Sequence, residues 1–142
     1  MEAKHFYNEI LTEHNMFPDN KRELPDADIE LEGVNPSCGD DIVLRLKLDG
    51  DVIADAAFTG SGCAVSQASA DIMAGLVVGM KKEQALHLSE LFFRMIRGSV
   101  TDEELEELDE AGALQDIAHM PARAKCALLG WRTLNEAFGV KL

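Results

Sequence analysis

Basic residues are scarce in this sequence, at 13 Lys and Arg among 142 residues against 26 Asp and Glu. The formal net charge is −13 at pH 7, so the chain lacks the clustered positive charge with which proteins bind nucleic acid or anionic membrane surfaces. A basic protein partner is compatible with this charge.

Long apolar runs are missing as well. No segment approaches the roughly 20 consecutive apolar residues that cross a bilayer, and the first ten residues are too polar for a signal peptide. We therefore expect a cytoplasmic protein that binds no membrane. With 46% hydrophobic and 27% charged residues, the chain has the size and composition of one globular domain spanning residues 1–142.

Cysteine is limited to three residues, an odd number and too few for a disulfide framework in a reducing compartment. Metal binding or thiol chemistry is then the expected role of any cysteine outside the core, although a lone buried cysteine is a common small hydrophobe. Phosphate-binding glycine loops, dinucleotide fingerprints and Ser/His/Asp arrangements are not found. The histidines show no i, i+4 pair, and we interpret each as a surface or cap residue: His5, His14, His87 and His119.

Alternating apolar residues predict a β-hairpin in the first half of the chain. Leucines and an isoleucine at 42, 44, 46 and 48 mark the first predicted strand, a Gly-containing turn occupies residues 49–51, and residues 52–58 form the second strand. Residues 6–11 predict a short amphipathic helix, followed by loop over residues 15–25. Residues 59–62 are predicted to loosen the backbone before the next helix.

Helical periodicity predicts four helices in the second half, over residues 63–79, 81–97, 101–112 and 121–139. The third opens with a Thr-x-x-Glu capping box and the fourth with a proline at its first position. The predicted buried faces are Val65, Ala68, Ile72 and Leu76 in the first helix, Leu88, Leu91, Phe92 and Met95 in the second, and Ala124, Leu128, Trp131 and Phe138 in the fourth.

Cys38 and Asp40 are the first candidate metal ligands. They flank Gly39, which removes the side-chain obstacle between them, so thiol and carboxylate can point into one coordination sphere. Spacing alone is a weak signal here, because the paired Cys-x-x-Cys pattern of many zinc sites is absent. A turn without a ligand role is the alternative interpretation.

Cys63 and Cys126 lie at or near predicted helix N-termini, where partial positive charge favours a thiolate. For Cys63 the alternative is a small buried residue, whereas Cys126 is predicted to face away from the buried stripe of its helix. Together with Cys38 and Asp40 they make four ligands, the number that a tetrahedral zinc site requires. Arg123, one turn before Cys126, is either a group that attracts a carboxylate or persulfide or a solvated surface residue.

Three motifs, in order, give the chain a family resemblance. Residues 35–40 (NPSCGD), 62–69 (GCAVSQAS) and 121–127 (PARAKCA) resemble the IscU/NifU-like family of iron–sulfur assembly proteins, over nearly the whole length. Two features of the chain depart from the scaffold branch of that family and are similar to its SufU branch. Lys125 stands where the scaffold branch usually has histidine, and a helix-sized segment over residues 81–101 lies between the second and third cysteines.

The resemblance implies an α/β (α+β) fold: a small antiparallel sheet of about three strands, helices packed against it, and a metal site at one exposed end. It also implies that zinc is bound by Cys38, Asp40, Cys63 and Cys126. The implied function is sulfur transfer in iron–sulfur cluster biogenesis. A side chain of a SufS-type cysteine desulfurase replaces Cys38 on the metal, Cys38 accepts persulfide sulfur, and downstream iron–sulfur scaffold proteins are the further partners. Arg123 is implied to steer the persulfide or a partner carboxylate.

Two alternatives stay open. The same four ligands suit a [2Fe–2S] cluster, in which case the chain is a scaffold that assembles and transfers the cluster. Otherwise the zinc is purely structural and the chain is a binding module.

Overall fold

The computed structural model describes residues 2–37 and 39–140, with side chains described from Glu9 onward, so Cys38 lies outside the described residues. Within these ranges one helix precedes three strands, and the remaining helices follow. The bounds are α1 Glu2–Met16, β1 Ile29–Asn35, β2 Asp40–Asp49, β3 Val52–Ser61, α2 Ala64–Val77, α3 Lys82–Ile96, α4 Asp102–Glu107, a 3₁₀ helix Asp109–His119, and α5 Pro121–Ala137.

The strands form an antiparallel sheet in the order β1-β2-β3. β2 and β3 are the predicted hairpin, and the alternation that predicted it reappears as burial. Ile42, Leu44 and Leu46 on one face of β2 are buried in the core. On the opposite face, Arg45 donates a 2.7 Å hydrogen bond to Glu30. The expected three-stranded antiparallel sheet with helices packed against it is confirmed.

β1 was missed by the alternation rule, which placed the Cys38 segment before the first strand rather than between β1 and β2. β1 is an edge strand with exposed glutamates, and Gly33 interrupts its apolar pattern. A Cβ at Gly33 would overlap the side chain of Thr133, so glycine allows α5 to lie against this strand. β3 is also longer than predicted, because it continues through the glycine-containing segment to Ser61.

The start of α5 is held beside the start of α2 by a buried polar and aromatic contact chain. Ser69 on α2 donates a 2.7 Å hydrogen bond to the carbonyl of Ala127 on α5 and accepts one of 3.2 Å from the Trp131 indole. The Trp131 ring in turn stacks on Phe92 of α3, with 4.6 Å between ring centroids. These contacts fix the relative position of the two helix ends that carry cysteines.

The predicted one-sided stripes underestimate how much of α2 and α5 is buried. On α2, Ala68 and Ile72 are buried as predicted, but Val65 and Leu76 are only partly buried. On α5 only Trp131 of the predicted stripe is fully buried. Since α5 packs against α2, α3 and β1, most of its circumference is covered.

The remaining helix predictions agree with the structure, apart from one boundary. α3 is a single helix, and the Thr101 side chain accepts a hydrogen bond from the backbone of Glu104, as a capping box requires. The acidic helix ends at Glu107, and a 3₁₀ helix replaces its predicted continuation. None of the described helices is both long and apolar enough to cross a bilayer.

Candidate metal centre

Three candidate ligands lie close together in the fold: Asp40, Cys63 and Cys126. In the sequence, Asp40 and Cys63 are 23 residues apart, and Cys63 and Cys126 are 63 residues apart. One ligand atom from each lies within 4.8 Å of the other two. Asp40 begins β2, Cys63 immediately precedes α2, and Cys126 lies in the second turn of α5. The meander of the sheet and the packing of α5 on α2 therefore bring three separate segments to one point.

Asp40 is fully buried and its carboxylate is held by several donors. Its Oδ1 accepts hydrogen bonds from the backbone N–H of Cys63 at 2.8 Å and from the Ser66 hydroxyl at 3.1 Å. The Asn35 side-chain amide lies 3.5 Å from Oδ2. Because a buried carboxylate without partners is costly, these donors explain how the charge is accommodated beside the two cysteines.

Cys63 is the N-cap of α2. Its sulfur accepts a hydrogen bond from the backbone N–H of Ser66 at 3.5 Å. The exposed N–H groups and the dipole at a helix N-terminus stabilise negative charge on this sulfur. The predicted location at a helix start is confirmed, and the side chain is partly exposed rather than buried as a simple core cysteine would be.

Cys126 is fully buried, which corrects the prediction that it faces away from the packed side of its helix. The error arose because α5 is covered on several sides and not along one stripe. The sulfur faces Asp40 and Cys63, so burial here does not place it among apolar side chains alone.

Arg123 lies against both of these cysteines. The negative charge of Cys63, followed by hydrogen bonding and charge at Cys126, raises the pKa of the Arg123 guanidinium. Arg123 is exposed, so a cation lies at the open side of a cluster in which Asp40 and Cys126 are buried and Cys63 is partly exposed.

The three donors fit a zinc ion. Zinc takes thiolate sulfur at about 2.3 Å and carboxylate oxygen at about 2.1 Å, so two sulfurs on a tetrahedral ion lie about 3.8 Å apart, within the observed 4.8 Å limit. Two thiolates and a carboxylate leave a fourth position, and the thiol of Cys38, two residues before Asp40, is the predicted donor. The same thiolate-rich set suits iron in an iron–sulfur cluster.

Sequence reasoning missed the residues that support these donors. Ser66 and Asn35 contact Asp40, yet a serine or an asparagine has no pattern in a single sequence that marks it as a support for a ligand. His14, interpreted as a surface or cap residue, lies in the last turn of α1, where its side chain is only 15% exposed and contacts Asp71. His87 fits that interpretation, since its exposed side chain pairs with an exposed glutamate.

The sequence profile described as the NifU-like N terminal domain matches residues 6–139. The chain belongs to this family. It is 41% identical over 130 residues to the zinc-dependent sulfurtransferase SufU of Bacillus subtilis, covering 92% of this chain and 87% of that protein. It is 39% identical over 137 residues to the iron–sulfur cluster assembly scaffold protein IscU of Thermotoga maritima, covering 96% and 95%.

Solved structures of this family share the fold. A SufU described as a putative iron–sulfur cluster assembly scaffold, from Fervidobacterium islandicum AW-1, superposes with a TM-score of 0.86 at 35% identity over 91% of this chain and 93% of that one. A NifU-like protein from Brucella abortus, 21% identical, shares the fold with a TM-score of 0.77. The resemblance to the IscU/NifU-like family and its SufU branch is thereby confirmed, and with it membership of an iron–sulfur cluster assembly family.

Proposed function

We propose that this protein is a zinc-dependent sulfur acceptor in iron–sulfur cluster biogenesis, which takes sulfur from the persulfide of a SufS-type cysteine desulfurase onto Cys38. The observation that carries the proposal is the convergence of Asp40, Cys63 and Cys126. The 41% identity to a protein named as a zinc-dependent sulfurtransferase supports it.

The described residues are suited to hold one metal ion while a neighbouring thiol reacts. Asp40 is fixed by the Cys63 N–H and Ser66, and Cys126 is fixed within a packed helix. A bound zinc ion would supply a redox-inactive positive charge that keeps the cysteines deprotonated. By contrast, Cys38 is joined to Asp40 through Gly39, which adopts a left-handed backbone conformation with φ +72°. An added Cβ at Gly39 would meet no atom within 4 Å beyond its chain neighbours, so this part of the loop is not packed against the rest of the fold.

The proposed reaction is a thiol–persulfide exchange. The Cys38 thiolate attacks the outer sulfur of the enzyme's cysteine persulfide, a new S–S bond forms on Cys38, and the S–S bond to the enzyme breaks. The enzyme's cysteine leaves as a thiolate, so the exchange needs no added oxidant or reductant. Exchange of this kind depends on the thiolate fraction and on access to the attacked sulfur.

The proposal also assigns a role to Arg123, a class of sulfur receiver and a cellular location. The Arg123 guanidinium, exposed beside Cys63 and Cys126, attracts the negatively charged persulfide or a carboxylate of the desulfurase. Downstream iron–sulfur scaffold proteins are the proposed receivers of the sulfur. The cytoplasm, where such assembly partners are expected, is the proposed location.

The test is the turnover of cysteine by a cognate SufS-type desulfurase, with and without the zinc-loaded protein. We expect a large acceleration with the natural chain and none with Cys38→Ala, which should still retain most of its zinc. Cys63→Ala and Cys126→Ala should instead lose metal and stability. Equal metal loss in all three variants, or sulfur acceptance by Cys38→Ala, would contradict this division of roles.

The second candidate function is a scaffold that assembles and transfers a [2Fe–2S] cluster on the same ligands. It is favoured by 39% identity to scaffold proteins named IscU over nearly the whole chain. Anaerobic isolation would then give a brown protein that passes its cluster to an apo-acceptor. Cluster transfer together with no acceleration of the desulfurase would replace the sulfur-acceptor proposal.

A further inference from the structure

His14, near the end of α1, lies between carboxylates from two other elements. Its Nδ1 is 2.5 Å from Oδ2 of Asp71 on α2, and its Nε2 is 3.1 Å from Oε1 of Glu110 on the 3₁₀ helix. Glu13, the preceding residue, places a carboxylate oxygen within 4.8 Å of the ligand atoms of His14 and Glu110. One imidazole is thus surrounded by three carboxylates.

Asp71 is held in place independently of His14. It is 1% exposed, its Oδ1 accepts a 2.9 Å hydrogen bond from the backbone N–H of Asn20, and the Asn20 side chain donates to its carbonyl at 3.1 Å. Among the ion pairs of the described residues, His14 is the partner of this buried carboxylate, and no Lys or Arg is. Its second oxygen is therefore directed at the imidazole.

A neutral imidazole carries a proton on only one of these two nitrogens, and the shorter contact, with Asp71, favours a proton on Nδ1. A proton on Nδ1 donated to Asp71 leaves the Nε2 lone pair pointing towards Glu110, and a lone pair facing a carboxylate oxygen at 3.1 Å repels it unless a cation lies between them. The cation is either a second proton on the ring or a metal ion. A carboxylate that orients a histidine through its other nitrogen is the usual support of histidines that bind zinc.

We propose that Glu13, His14 and Glu110 form a second metal site, for zinc or a similar divalent transition ion, with Asp71 orienting His14. At the tetrahedral angle, donor atoms of two ligands on one zinc ion, each at about 2.0 to 2.1 Å, lie about 3.3 Å apart, close to the 3.1 Å between Nε2 and the Glu110 oxygen. The imidazole and carboxylate donors suit zinc, and the site's excess of negative charge favours a cation over a neutral ligand.

This site is separate from the thiolate centre. Asp71 lies eight residues after Cys63 on α2, which corresponds to about 12 Å along the helix axis. A metal here would join α1 to the 3₁₀ helix and, through Asp71, to α2, and so would act on the attachment of the N-terminal helix. The inference does not depend on whether the thiolate centre carries zinc or an iron–sulfur cluster.

The test is zinc stoichiometry at the second site. The full chain is first loaded with one equivalent of zinc, which the thiolates take, and freed of excess metal; further zinc is then titrated by calorimetry and checked by metal analysis after dialysis. We expect a second equivalent to bind and to raise the thermal midpoint. His14→Gln and Glu110→Gln should lose the second equivalent while keeping the first, and Asp71→Asn should weaken it about 10- to 100-fold.

His87→Gln is the matched control. His87 also has an Nε2 3.1 Å from a glutamate oxygen, that of Glu107, but its side chain is 57% exposed and, among the described residues, no buried carboxylate contacts its other nitrogen. It should leave the second equivalent unchanged. Absence of a second equivalent in the natural chain, or its persistence in both His14→Gln and Glu110→Gln, overturns the proposal. Glu110→Gln alters an exposed residue, so it remains informative if Asp71→Asn fails to fold.

Discussion

Oδ1 of Asp40 accepts a hydrogen bond from the backbone N–H of Cys63 at 2.8 Å, which ties the first residue of β2 to the N-cap of α2. The same oxygen accepts a hydrogen bond from Ser66, whose backbone N–H also contacts the Cys63 sulfur. Two of the proposed ligands are therefore positioned by atoms that bind no metal. Perturbing these atoms should change metal affinity without removing a ligand.

The first prediction concerns Ser66. Replacing it with alanine removes the hydroxyl that supports Asp40, so zinc affinity should fall about 10- to 100-fold, the usual effect of losing an outer support of a metal ligand. Competition with a chromophoric chelator measures this. Ser89→Ala is the control, because Ser89 is also fully buried and hydrogen bonded, but to Asn135. Equal losses of affinity in the two variants would show a general effect on folding instead.

The second prediction concerns space beside the carboxylate. A Cβ at Gly62 would lie 2.5 Å from Oδ1 of Asp40 and 2.6 Å from the Ser66 hydroxyl oxygen. Gly62→Ala should therefore displace both groups, destabilise the metal-free protein by about 1 to 3 kcal/mol, and weaken zinc binding. Denaturant unfolding and chelator competition give the two quantities.

Gly112→Ala provides the comparison for Gly62. Its added methyl group would lie 3.3 Å from a side-chain carbon of Leu105, and its nearest neighbours are atoms of that leucine and not of Asp40, Cys63 or Cys126. It should leave the zinc affinity of the thiolate centre unchanged. If Gly62→Ala binds zinc as tightly as the natural chain, the predicted displacement of Asp40 and Ser66 is wrong.

The third prediction is a pH dependence at the capping box of α4. The backbone N–H of Thr101 and, next, the Arg94 guanidinium donate hydrogen bonds to the Glu104 carboxylate and lower its pKa below the ordinary 4.5. Because the folded-state pKa is the lower one, this stabilisation is fully present above the unfolded-state pKa. It is lost as the pH falls through the folded-state pKa.

Glu104→Gln should therefore lower the thermal midpoint at neutral pH, and its difference from the natural chain should shrink as the pH falls below 4.5. Thermal unfolding followed by circular dichroism across this range measures the difference. Glu103→Gln, on the same exposed turn, controls for the loss of one negative charge. A difference that stays constant with pH would contradict the assignment.

Local patterns in the sequence predicted the elements whose stabilising contacts are themselves local. The alternation around Leu44 and the Thr101 capping box each depend on residues within a few positions, and both appear in the structure. β1 was missed because an edge strand with glutamates exposed to solvent buries few apolar residues, and because Gly33 serves a contact with distant Thr133.

The features of the candidate site also divide into those that local sequence predicts and those that depend on tertiary packing. The helix N-terminal position of Cys63 follows from adjacent residues, so the sequence predicted it. The burial of Cys126 depends on α2, α3 and β1 packing around α5, which no periodicity within the helix reveals. The grouping of the ligands was a hypothesis from cysteines at turn and helix-start positions, which the family resemblance also implied. No local pattern could demonstrate it, since Asp40 and Cys126 meet only after the whole chain has folded.

The fourth prediction concerns Arg123, whose guanidinium lies beside the sulfurs of Cys63 and Cys126. If this cation attracts the incoming persulfide, Arg123→Ala should slow sulfur acceptance about tenfold, the lower end of the effect of electrostatic steering on association rates. The remaining rate should also depend less on ionic strength, because a surface charge that salt would screen is gone.

A purely structural role for Arg123 predicts something different. Loss of packing or of charge balance at the ligands would reduce zinc content and the thermal midpoint, whereas a steering role leaves both unchanged and alters only the rate. Arg123→Lys should recover part of the rate because it restores the charge without the forked geometry. Arg132→Ala, which removes an exposed arginine nine residues further along α5, should have no effect on sulfur acceptance. A zinc content that falls in step with the rate would assign Arg123 to holding the metal centre together instead.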